Sequence, residues 1–291
     1  HYKTVNDLLG GKQWIDIDQF AERDFSTNIK IIQNDIRFPY RAVKKGDTFG
    51  YDYNMLMFKG NAFLQNNWNL PLFDIYYAAQ LTYLQFQRDG KMENGRAVVI
   101  GAQSLGKGKR TYFLSPSAKA GFVYKISGHH RLWVDVLAEM RAPLPGYSYV
   151  SPRIKDTQLE GLQQEKVYSY DINYQFTTPV VRGRVTAFQT HFIDGVESTG
   201  YYHDEFRTFI NHTLWGVNKV FRGFEAGVDI KLNQNFSLAL AGTYGDYRYT
   251  NNANGVMSAE SGIDVLTGEL PVRDPVTGKF PSGDLREKVY T

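Results

Sequence analysis

The chain contains no cysteine and no long apolar run. The absence of cysteine excludes a disulfide framework, a Cys-based zinc site and a thiol nucleophile. The absence of any run of about 18 uncharged apolar residues excludes a membrane-spanning helix, although it leaves a membrane-spanning β-barrel open. The chain starts at His1 with neither Met nor an apolar signal segment. We therefore expect that a targeting segment has been removed, or that this is a piece of a longer protein.

The chain also has no large surplus of charge of one sign, since it contains 33 basic and 30 acidic residues and has a net charge of +3. This balance argues against a nucleic-acid-binding surface. The chain is 42% hydrophobic and 22% charged, which is enough apolar content for a packed fold and argues against disorder. The 20 Tyr, 19 Phe and 27 Gly favour β-structure, in which aromatic residues are common and glycine marks turns.

Strict alternation of apolar and polar residues is the clearest pattern that is present. Between residues 168 and 177, every even position is aromatic or aliphatic and every odd position is polar. The segment 220–232 alternates in the same way, with Arg222 as an exception on its apolar side, and a short turn joins it to a matching segment that begins at Phe236. A period of two residues indicates β-strands and excludes a helix.

Eight strands follow from this pattern, and most are longer than the five or six residues usual in soluble sheets. We predict strands at 52–65, 73–86, 112–126, 131–142, 166–177, 183–194, 217–232 and 236–249.

The predicted connections alternate between short turns and segments of more than 20 residues at 87–111, 143–165 and 195–216. Short turns on one rim and long loops on the other are typical of a bacterial outer-membrane β-barrel. A soluble antiparallel sandwich also alternates, but it does not sort its loops by length in this way. The regions 1–51 and 250–291 are then expected on the outward side as loops, with at least one strand missing at each end.

Several segments resemble the barrel of TonB-dependent outer-membrane receptors, and one resembles the large receptors of Bacteroidota. The first group comprises Ser151 to Asp156, Glu165 and Lys166 with the strand 168–174, Thr186 to Phe188, and Arg222 to Glu225; the second is the run Gly46 to Tyr53. The resemblance implies an all-β fold in the form of a transmembrane antiparallel barrel. These eight strands would be part of a barrel of 22 strands, and the plug domain would lie outside this chain. The resemblance also implies energy from the TonB complex through parts of the receptor outside this chain. The resemblance fixes no catalytic residues.

Other motifs carry less weight. The run Gly101 to Lys107 imitates a phosphate-binding loop, but Gly108 stands where Ser or Thr is needed, so we interpret it as a flexible basic loop. Asp16, Asp18, Glu22 and Asp24 lack the spacing of a calcium loop. His129 and His130 are interpreted as a polar turn, and His191, His203 and His212 have no zinc-type spacing. We predict neither a metal site nor a cofactor.

Polar faces of the strands are expected to point into the barrel, because a charged side chain facing lipid is costly. This set comprises Arg131, Asp135, Glu139, Arg141, Asp171, Gln189, His191, Glu225 and Asp229. Ligand contact is expected instead from aromatic residues in the outward loops, which can stack on a planar or sugar ligand. The candidate ligand-binding residues are Tyr201, Tyr202, His203, Tyr147, Tyr149 and Trp14. The alternative is that these rings anchor the loops or lie at the lipid interface.

We therefore predict a bacterial outer-membrane receptor fragment that imports a nutrient, and not an enzyme. Its expected partners are outer-membrane lipid, the TonB complex, a nutrient ligand and a surface lipoprotein, with no nucleic acid. The ligand class stays open among siderophore, haem, peptide, glycan and vitamin. A non-energised pore or structural barrel is the alternative, and a secreted β-rich glycan-binding or hydrolytic domain is a third.

Overall fold

The computed structural model describes residues 2–5, 34–39, 46–99, 101–203, 208–259 and 287–290. In these ranges, no helix is long and apolar enough to cross a bilayer. The described helices are a short α-helix, Gly95–Val99, and a 3₁₀ helix, Pro145–Ser148.

The described strands form one antiparallel sheet of 12 strands. Their bounds are β1 (Tyr2–Val5), β2 (Thr48–Asn69), β3 (Phe73–Gly90), β4 (Gly106–Lys107), β5 (Thr111–Lys125), β6 (His130–Arg141), β7 (Glu165–Thr177), β8 (Val181–His203), β9 (Thr208–Lys231), β10 (Ser237–Tyr249), β11 (Asn254–Ala259) and β12 (Glu287–Tyr290). The long strands pair with their sequence neighbours, whereas β4 pairs only with β3, and β10 and β11 both pair with β9.

All eight predicted strands are present, and the predicted short turns are present as connections of three to five residues at 70–72, 126–129, 178–180 and 232–236. We call the edge that carries these turns the short-turn rim, and the opposite edge the long-loop rim. The prediction of a long loop at 195–216 is wrong, because β8 and β9 continue pairing up to His203 and Thr208. Irregular register near Gly195 breaks the two-residue alternation there, and Asp194 and Gly216 both have positive φ.

Cross-strand register assigns each side chain to one of two faces, because residues directly opposite each other in a ladder share a face. We call the face that carries Leu114, Val136 and Ile172 the outer face, and the face that carries Phe113, Asp135 and Asp171 the inner face. Many large apolar side chains of the outer face are exposed, including Leu114 at 53%, Val136 at 48% and Ile172 at 53%. The outer face is therefore an apolar belt that water alone would solvate poorly.

The inner face carries polar side chains that contact one another. Tyr76 donates a hydrogen bond to Asp135, and Asn173 donates one to Asp171. The guanidinium of Arg184 lies 5.3 Å from the centre of the Trp133 ring, a cation–π contact between β8 and β6. The predicted inward orientation of Asp135 and Asp171 is thus confirmed, and the same register places Arg131, Glu139 and Arg141 on the inner face.

The predicted inward orientation of Gln189 and His191 is wrong. Gln189 lies opposite Tyr170 and His191 lies opposite Tyr168, so both side chains share the outer face with those tyrosines. Phe188, which the alternation places with the apolar set, lies instead opposite Asp171 on the inner face. Register with β7 decides the orientation of β8, because a shift of one residue would turn every side chain of the strand over.

Near the long-loop rim, the buried apolar residues change to the inner face. Leu84 and Phe86 of β3 are buried on that face, and so is Val167 of β7. The long loops cover this part of the sheet, so a core forms there between the loops and the strands. On β3 and β7, the buried apolar residues thus move to the inner face some ten residues along the strand from the short-turn rim.

The ends of the sheet are formed by β1 beside β2 and by β12 beside β11. The predicted loop regions 1–51 and 250–291 therefore contain short strands at the long-loop rim, together with the start of β2. Among the described residues, no ladder joins β1 to β12.

Gly121 allows Tyr76 to reach Asp135 across β5. A Cβ atom at Gly121 would lie 2.1 Å from the Tyr76 ring and 2.5 Å from Asp135 Oδ1. We expect Gly121→Ala to displace the ring, break the hydrogen bond and cost about 1–3 kcal/mol. The control is Gly60→Ala, because the nearest atom at that position is 3.7 Å away. The measurement is the temperature at which the full-length protein loses its compact gel mobility, and equal temperatures for both variants would contradict the assignment.

Candidate functional site

Two long loops converge on the inner face at the long-loop rim, and Arg88 of β3 lies between them. The loops comprise residues 91–110 and 142–164, which connect β3 to β5 and β6 to β7. Arg88 is only 2% exposed. A buried guanidinium needs several hydrogen-bond acceptors to offset the loss of water.

Arg88 obtains those acceptors from both loops. Its Nη1 donates to the carbonyl of Ser104 at 2.7 Å, and its Nε donates to the carbonyl of Pro152 at 2.8 Å. Its backbone N–H donates to the hydroxyl of Tyr149 at 3.1 Å, and the guanidinium lies 5.0 Å from the centre of the Tyr53 ring. One side chain therefore ties two loops to strands β2 and β3.

Asp156 adds an electrostatic link to the same cluster. Its backbone N–H donates to the carbonyl of Gln103 at 2.9 Å, which joins the two loops directly. Burial raises the pKa of the Asp156 carboxyl, and the nearby Arg88 guanidinium opposes that rise. Arg88 thus favours the charged form of this carboxylate, as does a backbone hydrogen bond.

Apolar contacts fix the loop 142–164 at two places. Leu84, Phe86 and Tyr149 form one buried cluster, and Met55, Phe113 and Leu162 pack around it. A second cluster contains Val150, Leu159 and Val256, with Trp215 of β9 packed against it. The loop therefore extends over the inner face from β3 to β9 as an ordered cover.

The predicted ligand-binding residues fall into different settings. Tyr149 is 1% exposed and accepts a hydrogen bond from Arg88, so its ring anchors the loop and presents no surface to a ligand. Tyr147 is 41% exposed on the 3₁₀ helix, which contacts β8. Tyr201 and Tyr202 are 40% and 45% exposed near the end of β8 at the long-loop rim. The side chain of His203 and the whole of Trp14 lie outside the described residues.

Arg88 and Asp156 are the site residues that the sequence pattern did not indicate. The only local signal is that Arg88 follows Leu84 and Phe86 on alternate positions of β3. This signal becomes informative only when the inner face at that height is known to be covered by loops.

The other motifs have structural explanations. The segment 101–107 is followed by strand and not by a helix, which argues against a phosphate-binding loop. Ser104 within it is 3% exposed and packed, and the flexibility of the loop stays a prediction. His129 lies 2.8 Å from the carbonyl of Thr177, and His130 lies 2.8 Å from the Tyr174 hydroxyl, which fits a polar turn. Within the described part of the chain, no group of three His, Asp or Glu residues could hold a metal ion. The acidic residues between 16 and 24 lie outside that part.

Comparison with known proteins gives a family match and matches among solved structures. The family described as "TonB dependent receptor-like, beta-barrel" matches residues 3–283. Among solved structures, the chain is similar to "Copper transporter OprC" with a TM-score of 0.55 and 12% sequence identity, over 77% of this chain and 38% of that one. The chain thus spans well under half the length of that transporter, and at this identity the likeness concerns the fold alone. A comparison with curated proteins finds no match.

Arg88 offers a direct test of the loop cluster. We expect Arg88→Met to leave the carbonyls of Ser104 and Pro152 without their donor, and the Asp156 carboxylate without a nearby positive charge, at a cost of about 3–5 kcal/mol. Trypsin should then cleave the full-length protein much faster at Lys107, Lys109 and Arg110. The control is Arg131→Met, which removes an exposed guanidinium of the inner face. Unchanged cleavage in Arg88→Met would show that the loops are held independently of this residue.

Proposed function

The chain belongs to the family of TonB-dependent receptor β-barrels, and on that premise we propose that it forms part of the wall of an outer-membrane transporter that imports a nutrient ligand. The observation that carries this proposal is the apolar outer face, which extends across β5, β6 and β7 and continues over β8 to β10. A lipid bilayer solvates such a belt, and charged or polar groups are tolerated on the opposite face of the strands.

The strand lengths support this placement. Strands rise about 3.3 Å per residue and tilt by about 40° in membrane barrels, so ten residues reach a height of about 25 Å. This height matches the distance from the short-turn rim to Leu84 and Val167, the level from which buried apolar residues lie on the inner face. The short-turn rim then faces the periplasm, and the long-loop rim faces the outside of the cell.

Ligand capture is assigned to the long-loop rim. Tyr147 presents an exposed ring on the loop 142–164 that Arg88 holds in place, and a ring on a fixed support loses little entropy on binding. Tyr201 and Tyr202 present exposed rings near the end of β8 at the same rim. Uptake would follow through movement of a plug domain driven by the TonB complex. A surface lipoprotein could assist capture from the outside. The copper in the name of the similar transporter is not carried over, because the likeness is one of fold.

The ligand class is siderophore, haem, peptide, glycan or vitamin, and the aromatic rings fit each of these through stacking. A non-energised pore is the competing function. Loss of uptake in cells without TonB supports energised transport, whereas unchanged uptake in such cells supports the pore.

Tyr201 and Tyr202 point to opposite faces of β8, so one of the two rings can stack on a given ligand. Replacing both by Ala in the full-length receptor should weaken ligand uptake about fivefold, because one stacked ring contributes about 1 kcal/mol. Uptake is measured with radiolabelled members of the five ligand classes, and the amount of receptor in the outer membrane is measured in the same cells. The control is Tyr124→Ala, since this tyrosine is 45% exposed at the opposite rim. A fall in receptor amount that matches the fall in uptake would make the pair structural.

A further inference from the structure

Three ionised side chains interrupt the apolar outer face on β9 and β10. Arg222 lies directly opposite Asp246 in the ladder, and its Nη2 is 2.9 Å from Asp246 Oδ2. Arg248 donates to the same oxygen at 2.7 Å. The two guanidiniums share one carboxylate, so the group has a net charge of +1. Both arginine side chains stay about half exposed, at 50% and 53%.

A groove lies directly beside this charged group. Its volume is about 390 Å³, and its floor is formed by the small residues Ala187 and Gly223 on β8 and β9. Tyr170 and Ile172 form one wall, and Phe224 and Tyr244 form the other. Arg222 and Asp246 also line the groove. The groove is therefore mostly apolar and has a positively charged group at one end, and it lies within the four adjacent strands β7 to β10.

The register places the polar and apolar parts at different heights. Ile172, Ala187, Phe224 and Tyr244 form one row across the four strands. Tyr170, Gln189, Arg222 and Asp246 form the next row toward the long-loop rim. Below the apolar row, the outer face stays apolar down to the short turns.

The charged row lies at the outer edge of the belt. Gln189 is eight residues along β8 from Val181, which corresponds to about 20 Å above the short-turn rim at the usual rise and tilt of barrel strands. The hydrocarbon belt of such barrels is about 25 Å tall. Arg248 lies one row further, opposite Val220 and in line with His191, at about 25 Å, which is the level at which the headgroups of the outer leaflet meet the acyl chains.

Charge and shape together select one kind of occupant. An arginine fork binds phosphate oxygens well, and the shared Asp246 leaves guanidinium donors free to bind an added anion. The neighbouring Gln189 amide contacts the His191 ring, with the two Nε2 atoms 2.6 Å apart, so the two side chains occupy each other. The aromatic walls and small floor of the groove fit a hydrocarbon chain.

We propose that this groove binds a phosphate-bearing lipid of the outer leaflet, with an acyl chain over Ala187 and the phosphate on Arg222 and Arg248. The proposal rests on the membrane placement given above, and it adds a lipid-binding site that is separate from ligand capture at the rim. The bound lipid would fill the groove and neutralise the excess charge, so it would stabilise this part of the barrel against unfolding.

The test uses the full-length receptor, purified and stripped of lipid in detergent, and native mass spectrometry with diphosphoryl lipid A as the probe. We expect Arg222→Gln to weaken binding about tenfold, because one charge-assisted phosphate contact is lost. Ala187→Phe should weaken it by filling the groove. Asp246→Asn should strengthen it, because the competing carboxylate charge is removed. Arg131→Gln, on the inner face, should leave binding unchanged.

Opposite effects of Arg222→Gln and Asp246→Asn cannot come from a general loss of folding, so this pair decides the outcome. Equal binding by all variants would overturn the proposal, and so would equal binding of a dephosphorylated lipid. Competition by inorganic phosphate at the same concentration as the lipid would assign the arginines to a free anion. The amount of each variant in the outer membrane is measured separately. Absence of the unsubstituted receptor from the outer membrane would refute its proposed placement there. Correct location of the receptor, together with lipid binding that none of the substitutions changes, would refute only the lipid site.

Discussion

The antiparallel hydrogen-bond ladder constrains everything else in this structure. Each strand is paired residue by residue with its neighbour, so successive side chains must point to opposite faces. One register therefore decides at once that Val136, Tyr170 and Phe224 point outward and that Asp135, Asp171 and Glu225 point inward. An apolar outer face and a polar inner face are two consequences of the same pairing.

The outer end of the sheet depends on a second arrangement, in which the loops supply the missing core. Above the apolar belt, the inner face becomes the buried one, and Leu84 and Phe86 pack against Tyr149. The buried Arg88 joins this core to both loops through two charge-assisted hydrogen bonds. The exposed ring of Tyr147 is thus carried on a loop that these contacts hold in place.

The sequence was sufficient to predict the strands where alternation is uninterrupted, as in β7 between Tyr168 and Thr177. It failed at the ends of β8 and β9, because the bulges near Asp194 and Gly216 break the two-residue period. It also misplaced Gln189 and His191, because Phe188 and Phe192 suggested an apolar face that pairing with β7 reverses. Phe192 instead packs on Phe221, with ring centres 5.1 Å apart. Arg88 could not be predicted, since its partners are carbonyl groups of loops distant in sequence.

The most direct test of the membrane placement is the accessibility of spin labels along β7. The chain has no cysteine, so single cysteines can be introduced at positions 168 to 175 of the receptor, with any cysteine elsewhere in it replaced. In lipid bilayers, labels at the even positions should collide frequently with dissolved oxygen, which concentrates in the hydrocarbon, and labels at the odd positions should collide with it rarely. Oxygen accessibility without a two-residue period, or with the odd positions more accessible, would contradict the placement of the outer face in lipid.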